Sequence, residues 1–598
     1  MRTFVADFET TTNSENCHVW AYAVTEVGNS DHVEIGTTID GFMEWCKTQY
    51  DNPVVMFHNL KFDGQFIIYW LFHNGYIWVD QENRATNTFT TMISDKGLWY
   101  RIEVIFKLQG KKVKKVIFQD SLKLIPLSVD AIAKSFKLDM QKLKIDYKAH
   151  DDLPIGSPLS PEEEVYIKHD VKIVAHAVDF FYKQGLDKMT IGSCALDEYK
   201  HLIKRKNFNT WFPTPKYHDD VKESYKGGFT WLNPKFAGKR IGKGIVLDVN
   251  SLYPSVMYDN YLPYGTPLWF EGEYEEDYLY PLYIQLFTCS FKLKKNKIPT
   301  IQIKNSQFGF KATEYLESSK GHEVPLCLTN VDLELFLDHY ETENIEYVGG
   351  WKFKATKGLF TDYIDKWSNE KIKAKKEGNY GMYLISKLFL NSLYGKFGTS
   401  TRVKEKIPYL DEDSDVVKYH DGDEGVKDGV YIPIASFITS YARLKTISSA
   451  QKIQDDYYAG KSRIQFVYAD TDSLHCISDD LSLPEGLDID STKLGAWDHE
   501  ANFKSAKFLR SKCYVEKHII SKEDYEKGVN SENDYLYSKD KEGYYVLKVT
   551  VAGMPKSCHK EVTFNNFKIG AQYSGKLQPK IVQGGVVLKD IDFTIKEY

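Results

Sequence analysis

The chain is 598 residues long, too long for one ordinary core, so three or more compact units are expected. Charged residues make up 27% and apolar residues 42%, which excludes a disordered chain, and no apolar stretch approaches the roughly 20 residues that span a bilayer. The net charge of −6 weighs against a strongly basic nucleic-acid binder, but metal-binding acids inflate the negative count and 77 Lys and Arg remain to line local grooves.

Met1 to Asp7 runs straight into a strand-like segment, with no signal peptide expected ahead of it. The 8 cysteines show no CxxC pair, so the sequence indicates neither a zinc site nor a disulfide framework, and a reducing intracellular setting is the simplest reading. The runs Phe4-Val5-Ala6, Val54-Val55-Met56-Phe57 and Val116-Ile117-Phe118 read as strands of an α/β unit over residues 1 to about 190. Asp7 and Glu9 lie two apart on the first run and so share a face. Asn59 and Asp63 follow the second. Lys111 to Lys115 and Lys292 to Lys297 are basic clusters that read as solvated loops or as grooves for phosphate. Ser160 to Tyr182 predicts a helix: Ser160 as N-cap, Pro161 first, three Glu in the first turn, then apolar Val165, Ile167, Val171, Val174 and Val178, with Gly185 at the end. Tyr166 and Asp170, four apart, are neighbours on its surface.

In the second half, Ile245-Val246-Leu247 predicts a strand delivering Asp248. Residues 362 to 397 form the strongest helical pattern, with Lys387, Asn391 and Tyr394 along one stripe and Gly395 and Gly398 marking its end. Asp411 to Lys427 looks like an exposed loop or hairpin. Ile464, Phe466 and Tyr468 alternate into a tight acidic turn holding Asp470 and Asp472. The last fifty residues, with Gly584-Gly585, predict a small β-rich unit. Two strand ends that each offer a carboxylate can hold a pair of divalent ions, the minimum equipment for in-line displacement at phosphorus.

The ordered set D-x-E, N-x-x-x-D and Y-x-x-x-D resembles the 3′→5′ exonuclease domain of replicative DNA polymerases. By that resemblance Asp7, Glu9, Asp63 and Asp170 are catalytic metal ligands and Tyr166 orients the attacking water. Lys142 and Tyr147 assist, and Thr10, His58, Asn59, Phe62, Ser121 and Leu122 contact the single-stranded 3′ end. Asp248-Val249-Asn250-Ser251-Leu252-Tyr253-Pro254, Lys387 to Gly395 and Tyr468 to Ser473 resemble motifs A, B and C of the family B DNA polymerases. The resemblance implies that Asp248, Val249 and Asp472 bind two Mg²⁺ (or Mn²⁺) ions about 3.5 to 4 Å apart. Asp470 supports that site, and Lys387, Asn391, Tyr394 and Gly395 meet the incoming dNTP. Tyr253 is a steric gate against ribonucleotides. Tyr225-Lys226-Gly227-Gly228 resembles the YxGG motif, which makes Tyr225, Gly227 and Gly228 DNA contacts. Lys512-Cys513-Tyr514 stands in the place of the KTY motif, with Lys512 and Tyr514 as DNA contacts and Cys in place of Thr.

D-F-E-T-T-T, F-H-N-L-K-F-D-G, G-F-T-W-L-N and L-N-S-L-Y-G-K-F look like the protein-primed polymerases of small tailed phages, the phi29 type. That resemblance implies an α/β and α+β multidomain fold. A ribonuclease H-like exonuclease domain would occupy 1–189, the palm 190–260 and 433–549, the fingers 362–398 and the thumb 550–598. Two insertions would lie at 261–361 and 399–432, the first for terminal-protein and DNA contact, the second for strand displacement and processivity. It further implies priming on a terminal protein, a primer-template and single-stranded DNA as partners, an otherwise monomeric chain, no membrane, and action in the cytoplasm of an infected bacterium. The alternatives are a conventionally primed family B polymerase, a non-catalytic DNA-binding scaffold, or a stand-alone nuclease, which would leave motifs A, B and C unexplained.

Overall fold

Two large sheets organise the chain, one from its first 120 residues and one from residues 230 to 551. The computed structural model describes residues 2–140, 143, 145–213, 221–303, 308–311, 313–426 and 430–597. Among them no helix is long and apolar enough to cross a membrane.

The first sheet has eight strands in the order Asn29–Gly36, Val19–Glu26, Thr3–Thr10, Val54–Phe57, Lys112–Asp120, Trp99–Gln109, Thr88–Ile93, Ile77–Trp78. Thr3–Thr10 pairs antiparallel with Val19–Glu26 and parallel with Val54–Phe57, so it lies inside the sheet and needs cover on both faces. Phe4, Ala6 and Phe8 pack with Phe42 and Phe66 of the helices Ile39–Thr48 and Leu60–His73. Val5, of opposite parity, packs with Ile167, Val171 and Val174 of the helix Pro161–Lys183. That helix starts where expected. Ser160 Oγ accepts from the Glu163 main chain, and the Glu163 carboxylate accepts from the Ser160 N–H at 2.8 Å, a reciprocal cap. Val165 departs from the expected apolar stripe: it is 47% exposed, because the stripe turns toward Tyr166 and Ile167. Of the cluster Lys111 to Lys115 only Lys111 is in an exposed turn. Lys112 opens a strand, Lys114 donates to the Gln49 carbonyl, and Lys115 pairs with Glu103 at 3.2 Å.

The second sheet orders Tyr537–Asp540, Gly543–Val551, Cys513–Ile520, Trp497–Arg510, Gly244–Val249, Ser473–Ile477, Gln465–Asp470 and Thr230–Leu232, with Arg240–Ile241 beside Trp497–Arg510. The buried helix Ile432–Tyr458 packs against it. Residues 262–356 build a separate four-stranded sheet, Leu262–Glu271, Tyr340–Thr356, Leu282–Leu293 and Val324–Thr329, around a core of Phe287, Phe291, Leu326 and Phe336. The single helical run expected over 362–397 is two helices, Thr361–Glu377 and Tyr380–Phe397. Gly378, with a left-handed φ of 67°, closes the first. Tyr363 and Trp367 pack on Phe389 of the second. Gly395 therefore lies inside a helix, and only Gly398 caps it.

The segment 399–432 contains the hairpin Lys406–Asp411/Val416–Asp421. Its tip residue Asp415 accepts hydrogen bonds from Tyr69 Oη (2.8 Å), His73 Nε2 (2.9 Å) and Gln583 Nε2 (2.8 Å). Gln583 is at the turn of the C-terminal hairpin Gln572–Val582/Gly585–Thr594. The first sheet's helix, the middle hairpin and the C-terminal hairpin thus meet at one carboxylate.

Candidate active sites

The first acid cluster follows from strand parity. Asp7 and Glu9 share Val5's side of Thr3–Thr10, the side covered by the helix that carries Tyr166 and Asp170. Asp63 enters from the first turn of Leu60–His73, after Asn59 adopts a left-handed φ of 88°. Glu9, Asp63, Tyr166 and Asp170 are all buried. Burial, and then the charge of Asp7, push the Asp63 carboxyl well above the usual range. Asp63 Oδ1 has no hydrogen-bond partner among the described residues. Burial and then Glu9 raise the Tyr166 hydroxyl, which lies 3.2 Å from the half-exposed Tyr147 hydroxyl. Buried hard oxygen donors, one of them held toward its neutral form, are a set that a divalent cation would satisfy.

Around this cluster, His58 Nδ1 lies 2.9 Å from Ser121 Oγ and its Nε2 2.6 Å from the Leu127 carbonyl. Ser121 is fully buried, and its hydroxyl donates to the Phe57 carbonyl. Thr10, Phe62 and Leu122 are partly exposed, and Asn59 is exposed. Lys142 lies outside the described residues. Asp120 was not foreseen from sequence: its Oδ1 accepts from the main-chain N–H of Asn59 and of Leu122, tying both to the end of the strand Lys112–Asp120. An Asp directly after an apolar strand and before Ser121 was the available signal.

The second cluster is built by three antiparallel strands. Asp248 stands opposite both Ser473 and Asp498. Val249 N–H donates to the Asp472 carbonyl at 2.8 Å, which locks the two acid-bearing strand ends together. Ser251, Thr471 and Lys512 all take left-handed φ values, 55°, 63° and 54°. Such backbone strain in non-glycine residues clusters at functional sites. The acids line a 420 Å³ pocket with Glu500, Lys512, Lys548 and Tyr514. Burial and then Asp472 push Asp248 up to about 7, and burial raises Asp472 as well. Lys512 Nζ bonds Asp470 at 2.9 Å, and Lys548 lies 3.6 Å from Glu500. Among the described residues no three ligating side chains already converge on a point, in keeping with carboxylates that repel one another.

Lys387 and Asn391 are exposed on Tyr380–Phe397 while Ile385, Phe389 and Leu393 face the core, so the expected stripe is free to meet a ligand. Tyr394 stacks on Tyr253, with ring centroids 4.1 Å apart. Tyr225 packs under Gly398. Gly228 is needed by its neighbour: a Cβ there would lie 2.6 Å from Thr471 Cγ2, and Thr471 N–H donates to the Phe229 carbonyl. The Lys226 and Gly227 carbonyls both accept from Arg443, a buried guanidinium paired with Asp332. Neither partner carried a local sequence signal, since each lies on an ordinary helix. Cys513 is fully buried against Cys558 and Phe567, an apolar position that a thiol fills as well as a threonine methyl.

The sequence matches the profile of DNA polymerase type B, organellar and viral, over residues 45–162 and 156–482. The chain is 46% identical to the DNA polymerase of Bacillus phage phi29 and 45% identical to that of Bacillus phage Nf, over 99% of both chains in each case. The chain belongs to the phi29-type family B DNA polymerases. Streptococcus phage Cp-1 has a DNA polymerase 33% identical over 99% of this chain and 98% of its own. The structure of phi29 DNA polymerase complexed with primer-template DNA superposes with a TM-score of 0.90 at 43% identity, covering 100% of each chain. The one complexed with single-stranded DNA gives 0.89 at 42% identity, also over 100% of each.

Proposed function

We propose that this polymerase copies DNA templates from a terminal-protein primer, proofreads with a separate 3′→5′ exonuclease site, and displaces the downstream strand as it advances. The observation that carries the two-site reading is the presence of two acid clusters on two different sheets, each with a carboxyl held above its ordinary pKa. Asp248, Asp472 and the carbonyl of Val249 would hold two Mg²⁺ ions in the synthesis site, and Asp7, Glu9, Asp63 and Asp170 would hold two in the editing site. Such ions, when bound, neutralise charge on the attacking and leaving oxygens of an in-line displacement.

The chain's own groups then have distinct tasks. Lys387 and Asn391, exposed on one helical stripe, receive the triphosphate and base of the dNTP. Tyr253, stacked on Tyr394, presents a flat face that leaves no room for a 2′ hydroxyl. Tyr225, Gly227, Gly228, Lys512 and Tyr514 line the primer-template path, and Lys512 exchanges its Asp470 partner for a primer phosphate. In the editing site Tyr166 orients water while His58, Asn59, Thr10, Phe62 and Leu122 receive the 3′ end. Ser121 acts there through His58.

Residues 1–189 are the exonuclease domain, 190–260 and 433–549 the palm, 362–398 the fingers and 550–598 the thumb. Residues 261–361 and 399–432 are the two insertions. The three-way contact at Asp415 supports a role for the second insertion in closing a ring around DNA. The decisive experiment extends a primed circular single-stranded template without accessory proteins. Products longer than the circle are expected, and arrest at one turn would remove strand displacement. A labelled dATP adduct on the cognate terminal protein tests priming; its absence would favour a conventionally primed enzyme.

A further inference from the structure

Beneath the synthesis pocket lies a set of titratable groups that the proposed chemistry does not use. Glu516, on Cys513–Ile520, has no exposed surface. Its Oε1 lies 2.7 Å from His475 Nδ1 and its Oε2 lies 2.8 Å from His518 Nε2. His475 is itself buried and reaches the floor of the acidic pocket. Its Nε2 is 3.3 Å from Ser473 Oγ, and that hydroxyl is 3.4 Å from the Asp470 carbonyl. A continuous line of polar groups therefore runs from His518 through Glu516, His475 and Ser473 to the turn bearing Asp470 and Asp472.

The surroundings make this line unexpected on packing grounds alone. Tyr468, Phe508 and Tyr514 surround the His475 ring at centroid distances of 5.2 to 5.6 Å, and an apolar side chain would pack there without the cost of burying a charge. Burial drives the Glu516 carboxyl up, but the two imidazoles outweigh it and hold the group at about 2. A fully satisfied buried network rigidifies its members. The bond that one imidazole nitrogen makes sets the proton state of the other. With Nδ1–H donated to Glu516, a neutral His475 accepts from Ser473. A protonated His475 instead donates to Ser473, whose own proton turns to the Asp470 carbonyl. His475 holds Ser473, next to Asp472, in either case, and the second arrangement also ties Ser473 to the Asp470 carbonyl. Thr471 in this turn holds a left-handed φ of 63° that a β-branched residue keeps only where its surroundings fix it.

We propose that Glu516 is a positioning residue for nucleotide addition, acting through His475 and Ser473 to fix the Asp470–Asp472 turn in the geometry that binds a divalent cation. The inference rests on the reading of Asp248 and Asp472 as the synthesis site. Mn²⁺ alone is titrated into the full-length protein by electron paramagnetic resonance, and kcat and KM for dNTP are measured on a primer-template. Glu516→Gln is expected to weaken Mn²⁺ binding and lower kcat by about tenfold or more, with KM for dNTP held within about twofold. Ser473→Ala is expected to act in the same direction. The Glu516→Gln/Ser473→Ala double variant should be no worse than the more damaging single, because both break one line. Mn²⁺ affinity and kcat within about twofold of wild type for Glu516→Gln, or additive losses in the double variant, overturn the proposal. Should Glu516→Gln fail to fold, Ser473→Ala decides alone: wild-type Mn²⁺ affinity in that protein overturns it, and weakened affinity at an unchanged melting temperature supports it. Asp472→Ala separates the two layers, since full synthesis by that variant would sink the site assignment itself.

Discussion

Glu9, Asp63 and Asp170 sit between a sheet and a helix at 7%, 4% and 4% exposure, whereas Asp248 and Asp472 line an open 420 Å³ pocket with Lys512 and Lys548 at its rim. The two clusters therefore handle negative charge differently. In the first, burial and then the charge of Asp7 hold the Asp63 carboxyl well above its usual range, and the Tyr147 and Tyr166 hydroxyls lie 3.2 Å apart. In the second, side-chain cations stand at 2.9 Å from Asp470 and 3.6 Å from Glu500, while burial and then the charge of Asp472 raise Asp248. A buried acid site fits a single flexible strand end, while an open one leaves room for a duplex and a triphosphate.

The largest effect expected is at the open pocket. Asp248→Ala or Asp472→Ala should lower nucleotide addition on the order of a thousandfold, while degradation of a labelled 3′ end persists. Parallel loss of both activities would break the comparison into one site. The reciprocal variant, Asp7→Ala with Asp63→Ala, should lower 3′ degradation on the order of a hundredfold or more and leave primer extension intact in the same gel assay. Smaller again is discrimination. Tyr253→Val should admit ribonucleotides roughly ten- to a hundredfold better, measured as the ratio of kcat/KM for dNTP and rNTP, and an unchanged ratio would remove the gate.

The smallest expected effect concerns stability. Asp248 has a folded pKa of about 7 against an ordinary 3.8, so between these values the folded state holds the extra proton. That contribution is fully present below the unfolded value and is lost as pH rises through about 7. The metal-free protein should therefore melt a few degrees lower at pH 8 than at pH 5, by about the margin that one shifted carboxyl supplies. Asp248→Asn should flatten the slope, and Mg²⁺ should restore the melting temperature at the higher pH. A slope unchanged in Asp248→Asn would place the strained charge elsewhere, with Asp63 the next candidate.

Much of the molecule was legible from local rules. The helix at Pro161–Lys183, with its cap and its Tyr166–Asp170 pair, follows from residues within a few positions of one another. The strand before Asp470 was equally local, and the hairpin expected from Asp411 was found in its turn and second strand, Val416–Asp421, while its first strand, Lys406–Asp411, lies ahead of the expected segment. Local rules failed where a pattern was continuous but the backbone was not, as at Gly378, and where a basic cluster found distant partners, as Lys114 did at the Gln49 carbonyl and Lys115 at Glu103.

By itself, then, the sequence determined which acids stand at strand ends, which share a face, and which family the chain joins, because side-chain periodicity and short motifs are properties of neighbouring residues. Tertiary structure alone decided that Asp120 ties down Asn59, that Arg443 holds the Lys226–Gly227 carbonyls, that Glu516 lies behind the second acid turn, and that Asp415 receives three distant donors. Those contacts join residues tens to hundreds of positions apart, and burial, which raises the carboxyls of Asp63 and Asp248, exists only once the sheets and helices have closed over them.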